Sequence, residues 1–393
     1  MAKEIVLAGA VRTPIGKYGG TLAETPAAKL GEIVIREALA RAGVPADEVD
    51  EVLFGCVIQA AQGQNVARQS AVGAGIPVEA PAMTINDVCG SGLKVINMAA
   101  TEILAGNAEV IVVGGTENMS RVPYALEKAR FGYRMGNAEV PDLLLKDALL
   151  DAFEGYHMGI TAENLAERYN ISREAQDEFA ASSQIKCEAA RSAGKFQEEI
   201  VPVPIKVKKE TVLFDTDEYP RDGVTAGSLA SMRPAFKKDG TVTAANASGI
   251  NDGAAAMVVM SAEAAERLGV TPMARFVGGT WAGVEPEIMG IGPVASTEKL
   301  LQKLEMTIDD LDLIEANEAF AAQAMAVGID LGWDPEKVNV NGGAIALGHP
   351  VGASGCRILV TLLHELKRRG GGKGLATLCA GGGMGVSTIV ETI

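Results

Sequence analysis

Gly90-Ser91-Gly92-Leu93-Lys94-Val95-Ile96, in the first third of the chain, is matched by Ala353-Ser354-Gly355-Cys356-Arg357-Ile358-Leu359 in the last third, at an offset of 263 residues. A second pair lies at an offset of 262, Asp47-Glu48-Val49-Asp50-Glu51-Val52-Leu53 with Asp309-Asp310-Leu311-Asp312-Leu313-Ile314-Glu315. Convergence of common strand–helix patterns is one explanation. Two matches at nearly one offset favour the other, a duplicated α/β half.

Working outward, Ile5 to Val11 reads as a strand, Ala27 to Ala42 as an amphipathic helix and Val49 to Val57 as a strand. Gln64 to Ala74 is helical and Met83 to Asn86 strand-like, ending at Cys89. The period of Leu93, Ile96, Ala100, Ile103 and Leu104 predicts a helix from Ser91 that stops before Gly106. Glu109 to Val113 is a buried strand closed by a turn at Gly114-Gly115, as Gly381-Gly382-Gly383 closes the strand Leu375 to Cys379. Short apolar strands alternating with helices predict a parallel sheet covered on both faces. The middle lacks the repeat. It holds a polar helical stretch from Thr161 to Ala193 and reads as an insertion that carries binding residues over the mouth of the sheet. The expected division is residues 1–119 with 250–270, an inserted domain over 120–249, and residues 271–393.

The chain has 393 residues, 48% hydrophobic and only 4% aromatic, with 46 glycines. That composition suits a folded α/β protein and disfavours disorder. A net charge of −15 argues against a nucleic-acid partner. The five cysteines (Cys56, Cys89, Cys187, Cys356, Cys379) show no C-x-x-C, which disfavours a disulfide framework or a zinc site and points to a reducing, cytoplasmic setting. The N-terminal apolar run is broken by Glu4 and Arg12 and reads as a strand, not a leader, and no membrane span is expected.

Three glycine-rich junctions carry the chemistry. Cys89, ahead of a helix, is placed where the helix dipole and free amides favour a thiolate, with Gly90-Ser91-Gly92 leaving the sulfur unshielded. His349 lies in Asn339 to Gly355, whose five glycines predict an irregular, shaped loop. His364, on an amphipathic helix, reads as solvated, and His157 is intermediate. Cys379 is either a core thiol or a nucleophile or acid/base. Asn317, after the strand Leu311 to Ile314, either orients water or donates to an oxyanion, or caps a helix.

Ile85-Asn-Asp-Val-Cys-Gly-Ser-Gly-Leu93, Asn317-Glu-Ala-Phe320, Asn339-Val-Asn-Gly-Gly-Ala-Ile-Ala-Leu-Gly-His-Pro350 and Leu378-Cys-Ala-Gly-Gly-Gly383, in this order over essentially the whole chain, resemble the thiolase family. Within it they are most similar to the short-chain, biosynthetic acetyl-CoA acetyltransferase branch. The resemblance implies a five-layered αβαβα fold with duplicated halves and an inserted loop domain. It implies ping-pong condensation of two acetyl-CoA to acetoacetyl-CoA through acetyl-Cys89. In that scheme His349 takes the Cys89 proton and helps hold the second thioester oxygen, for which Asn317 positions a water. Cys379 handles the α-proton, and the amides of Cys89 and Gly381 form the acyl oxyanion hole. Coenzyme A thioesters are then substrates, with no tightly bound cofactor and no metal. Ser248 would meet the pantetheine, and Arg221 and Ser228 would lie near the nucleotide. Leu149, His157, Met158, Phe236, Ala244, Met289, Ala319 and Phe320 would line the tunnel or acyl pocket. The basic residues Lys206, Lys208, Lys209, Arg221 and Arg233 could offset the overall negative charge there, most of the lysines being surface. His157-Met158 resembles the acetyl-specific branch. Arg121 to Asn137 resembles a tetramerisation loop, implying a homotetramer built as a dimer of dimers. The alternatives are a broader-chain 3-ketoacyl-CoA thiolase and a non-catalytic acyl-CoA carrier, the latter disfavoured because Cys89, His349 and Cys379 are all present.

Overall fold

The computed structural model describes residues 3–393. The first half runs β1 (Ile5–Arg12), β2 (Gly16–Lys17), α1 (Ala27–Ala42), β3 (Glu51–Gly55), α2 (Val66–Ala74), β4 (Ala82–Ile85), α3 (Ser91–Ala105) and β5 (Val110–Asn118). The middle carries α4 (Met158–Arg168), α5 (Arg173–Ser192), the hairpin β6 (Val203–Val207) and β7 (Glu210–Phe214), and α6 (Ala226–Leu229). Then follow β8 (Asn251–Ser261), α7 (Ala262–Leu268), β9 (Ala274–Gly283), α8 (Gly292–Leu304), β10 (Leu313–Ala316), α9 (Ala321–Leu331), α10 (Ala344–Leu347), α11 (Val351–Arg368), β11 (Lys373–Ala380) and β12 (Met384–Thr392). The polar helical stretch of the middle is two helices. The second is restarted by Ser172, whose hydroxyl accepts from the Ala175 amide at 3.2 Å.

The strand order is β4-β3-β5-β8-β1, continued by β9-β12-β11-β10. Among the described residues, the two groups are joined by a short antiparallel pairing of Val6 and Leu7 with Arg275 and Ala274. The sheet is mixed, which corrects the expected all-parallel one. β3 is parallel to β4 and β5, and β10 to β11, but β8 runs antiparallel to β1 and β5. β12 is antiparallel to β11 and β9. For β11 and β12 the reason is connection length. The three glycines between β11 and β12 form a hairpin link, and a link that short cannot make the crossover that parallel strands need.

Five layers result. α1 and α2 cover the outer face of the first strand group, and α8 covers β9 and β12 from outside. Between the groups lie α3 and α11, each packed on strands of both. Leu93, Ile96 and Ile103 of α3 share one buried cluster with Ile358, Leu359 and Leu362 of α11, Ile111 of β5 and Leu378 of β11. Each such side chain contributes about 1.5–3 kcal/mol relative to an exposed one. Val88–Ala105 has the length and mean hydropathy (1.2) of a membrane span, but its place is this central layer.

The repeated motif marks where the central helices meet. A Cβ on Gly355 would lie 2.4 Å from the Leu93 amide nitrogen, and one on Gly92 would lie 2.8 Å from that of Cys356. These glycines occupy equivalent places in the repeat. They let two helix backbones approach; Gly92 therefore serves the helix crossing rather than exposure of the thiol. Gly114-Gly115, expected to end a strand, lies inside β5, which runs on to Asn118. A Cβ on Gly115 would sit 2.0 Å from the Gly352 carbonyl oxygen, so this pair makes room for the start of α11. The insertion is tied to β1 by buried Arg12, whose guanidinium donates to Glu199 (2.7 Å) and to Asp217 (2.7 and 2.9 Å).

Candidate active site

The turn from β4 into α3 presents Cys89. Val88 is held at φ 48°, in the left-handed region, where a β-branched residue costs about 1–3 kcal/mol. Local hydrogen bonds sustain it. The Asn86 side-chain oxygen accepts from the Val88 amide at 3.0 Å. The Ser91 hydroxyl accepts from the Asp87 amide at 2.9 Å and donates to the Val88 carbonyl at 2.6 Å. Of the five cysteines, Cys89 alone is partly exposed. The thiolate expected from the helix dipole is corrected. Burial of the sulfur, with lesser contributions from the charges of Glu117 and Asp87, pushes the thiol up to about 11. The amides of Gly381 and of Cys89 itself pull it back. At neutral pH the thiol therefore needs a base.

His349 stands just before α11. The expected irregular loop, residues 339–355, instead contains α10 and the first turn of α11, with His349 between them. Its backbone amide donates to Asn251 Oδ1 at 2.9 Å, and its Nδ1 lies 2.6 Å from Ser354 Oγ. Nε2 is buried without a protein partner among the described residues. Burial, and then the positive charge of Arg357, hold the ring down to about 3, so the resting imidazole is neutral.

Asn317 follows β10 and is buried, and neither side-chain amide atom has a partner among the described residues. The cap of α9 is Phe320, so Asn317 is not a capping residue. A buried amide left this way is suited to holding a water or a ligand atom. Cys379 is fully buried in β11 and packs with Met158, Met289 and Phe320. Its thiol is pushed well up, first by burial and then by the charge that Cys89 would carry when ionised.

Cys89, His349 and Gly381 line a mainly apolar cavity of about 530 Å³. Ser248, Leu149, His157, Met158, Phe236, Ala244, Met289, Ala319 and Phe320 line it too. Arg221 and Ser228 line a smaller cavity of about 180 Å³, and the two share Tyr219 and Ala244. The Ser228 hydroxyl is engaged in capping α6, donating to the Thr225 carbonyl at 2.7 Å. Lys206, Lys208 and Lys209 are exposed on the β6–β7 hairpin and line neither cavity. Lys17, Tyr18 and Tyr219 do line the main cavity and were not expected. Nothing in their local sequence sets them apart, because only the pairing of β2 with β8 brings Lys17 to the site. His157 stacks on Phe236 with ring centres 4.5 Å apart, and Phe236 meets Phe320 edge-on at 6.1 Å. His364, expected to be solvated, is buried, with Nε2 3.0 Å from the Ala10 carbonyl oxygen.

Fold and site together define a layered α/β protein in which one half brings Cys89 to the wall of an apolar chamber and the other brings His349 and Gly381, with Cys379 buried behind Met158, Met289 and Phe320 of that wall. Residues 5–263 match the model of the thiolase N-terminal domain and residues 270–392 that of the thiolase C-terminal domain. The chain belongs to the thiolase family. It is 59% identical over 389 residues, 99% of each chain, to the acetyl-CoA acetyltransferase of Cupriavidus necator. The crystal structure of the Bacillus anthracis acetyl-CoA acetyltransferase superposes with a TM-score of 0.98 at 48% identity, over 100% of this chain and 99% of that one. That of human mitochondrial 3-ketoacyl-CoA thiolase superposes at 0.96 and 43% identity with the same coverage.

Proposed function

We propose that this chain is an acetyl-CoA C-acetyltransferase, which joins two acetyl-CoA into acetoacetyl-CoA and CoA, reversibly and by a ping-pong route. The observation that carries the reading is Cys89 and an unpartnered imidazole nitrogen of His349 on the wall of one apolar chamber, with the Cys379 thiol packed directly behind Met158, Met289 and Phe320 of the same wall. In the first half-reaction His349 Nε2 takes the Cys89 proton and the sulfur attacks the thioester carbon. The amides of Cys89 and Gly381 hold the oxyanion. The bond to the CoA sulfur breaks, and Cys379 gives that sulfur its proton. In the second half-reaction the Cys379 thiolate removes the α-proton of a new acetyl-CoA. The enolate oxygen is held by protonated His349 and by a water on Asn317. The enolate carbon attacks acetyl-Cys89, and the released sulfur recovers its proton from His349. A dry chamber with donors already in place is what a weakly acidic C–H requires.

The inserted domain, 120–249, with Ser248 at its end, supplies most of the coenzyme A channel, and no tightly bound cofactor is needed. The assembly is a homotetramer, joined through the Arg121 to Asn137 loop, on which Phe131 is 93% and Met135 100% exposed. The setting is the cytoplasm, in keeping with five free cysteines. A broader-chain 3-ketoacyl-CoA thiolase is the second reading, favoured by the likeness to the human enzyme of that name. The stacked rings of His157 and Phe236 on the chamber wall favour the short-chain reading instead.

The test is acetylation by labelled acetyl-CoA. Label is expected on the wild type and on Cys379→Ser but not on Cys89→Ser, with condensation by Cys379→Ser lower by about 10³-fold. Label retained on Cys89→Ser overturns the reading.

A further inference from the structure

We propose that Ser354 is a positioning residue for the acetyl transfer: its oxygen accepts a hydrogen bond from Nδ1–H of His349, which keeps Nε2 as the bare nitrogen in the chamber that holds Cys89. This rests on the preceding reading, in which His349 takes the Cys89 proton.

The 2.6 Å separation of His349 Nδ1 and Ser354 Oγ leaves the direction of the bond open by itself. A serine has one proton to give. Ser354 Oγ is also 3.0 Å from the Pro350 carbonyl oxygen, which can only accept. If the serine proton lies there, the remaining contact must be a bond received from Nδ1–H. The duplicated half carries the same arrangement with no ambiguity. Ser91, the counterpart of Ser354 in the repeat, donates to the Val88 carbonyl at 2.6 Å and receives the Asp87 amide at 2.9 Å. A backbone amide cannot accept, so the Ser91 oxygen is the acceptor. Both serines lie in the first turn of a central helix and organise the residues just ahead of it. In one half they shape the turn that carries the thiol, and in the other they set the ring that serves it.

The rest of the site agrees. The His349 backbone is pinned by Asn251, so the ring has a fixed root as well as a fixed edge. Nε2 is buried without a partner among the described residues, as a nitrogen reserved for a proton in transit would be. After transfer the imidazolium keeps its Nδ1–H bond to Ser354, so the serine serves both protonation states without turning. The charged groups around the pair are Arg357 on the same helix, Glu117, which receives the Gly352 amide at 3.0 Å, and Asp87 on the thiol side.

The experiment has two arms. Solid-state nitrogen spectra of protein labelled with ¹⁵N-histidine contain three rings, and His349→Asn identifies the relevant one. The wild type is expected to carry the proton on Nδ1 with Nε2 bare. In the second arm, single-turnover acetylation of Cys89 is followed by intact mass. Ser354→Ala should be about 10–100-fold slower at pH 7, as for other residues that orient a histidine. Its KM for acetyl-CoA should stay within about twofold. The deficit should shrink as pH rises toward the thiol's own range near 11. A wild-type ring protonated on Nε2 overturns the proposal, as does Ser354→Ala acetylating with the wild-type rate and pH profile. If the wild type takes up no acetyl group, the functional reading fails instead, and the spectrum still decides the tautomer.

Discussion

Replacing Gly355 by alanine tests whether the repeated motif is a helix crossing. The added Cβ would stand 2.4 Å from the backbone nitrogen of Leu93. Atoms of this kind settle at about 3.5 Å, so α3 and α11 must part by about 1 Å. The obstacle is backbone, which no rotamer change removes. Overpacking of this sort costs about 1–3 kcal/mol, and alanine returns up to about 1 kcal/mol in helix propensity. A net loss of about 1–2 kcal/mol remains. A chain of this length unfolds with an entropy of about 0.8 kcal/mol/K, so the melting midpoint should fall by about 2 °C. Activity should suffer more. α11 begins two residues after His349, and a displacement of about 1 Å at a reacting group can cost about 10²-fold. Scanning calorimetry and kcat/KM for acetoacetyl-CoA thiolysis measure both. Gly92→Ala, at 2.8 Å from the Cys356 nitrogen, should be milder. Gly73→Ala in α2 is the control, because its Cβ meets only the flexible end of Glu32, and it should be neutral or stabilising. A Gly355→Ala protein as stable and as active as the wild type would refute the reasoning.

Arg12→Met should destabilise by about 3–5 kcal/mol in denaturant titration, since it strands the buried carboxylates of Glu199 and Asp217. Between pH 6.5 and about 3 the unfolded chain binds a proton that the folded His349 ring refuses, so stability should fall as pH drops through that window. His349→Asn should flatten that part of the curve in acid titrations followed by circular dichroism. On the proposed acetyl specificity, with the stacked His157 and Phe236 bordering the chamber, a twelve-carbon 3-ketoacyl-CoA should show kcat/KM at least about 100-fold below that of acetoacetyl-CoA; equal values would remove that argument. Phe131→Ser combined with Met135→Ser should halve the sedimentation mass of a tetramer while leaving its subunits folded, since both side chains are exposed in the single chain.

Local pattern was enough for much of this molecule. The helix Ala27–Ala42, the helix from Ser91 and the strands around them follow from periodicity and end signals within a few residues. The duplication, the insertion and the candidate thiols were visible because chain order and spacing carry them. Strand direction was not, because the pairing of β8 with β1 and β5 depends on how the chain re-enters the sheet after the insertion. Burial of His364 escaped for a similar reason, its helix having a second partner in β1.

By itself the sequence determined the family motifs, the candidate residues for chemistry and their order along the chain, since residue type and order are local properties. Only the tertiary structure decided what surrounds them. Burial sets Cys89 up and His349 down, and Ser354 lies against the imidazole. Gly92 and Gly355 prove to be the contact of two helices rather than the opening of a site. Desolvation and close approach depend on atoms far away along the chain, and no window of sequence contains them.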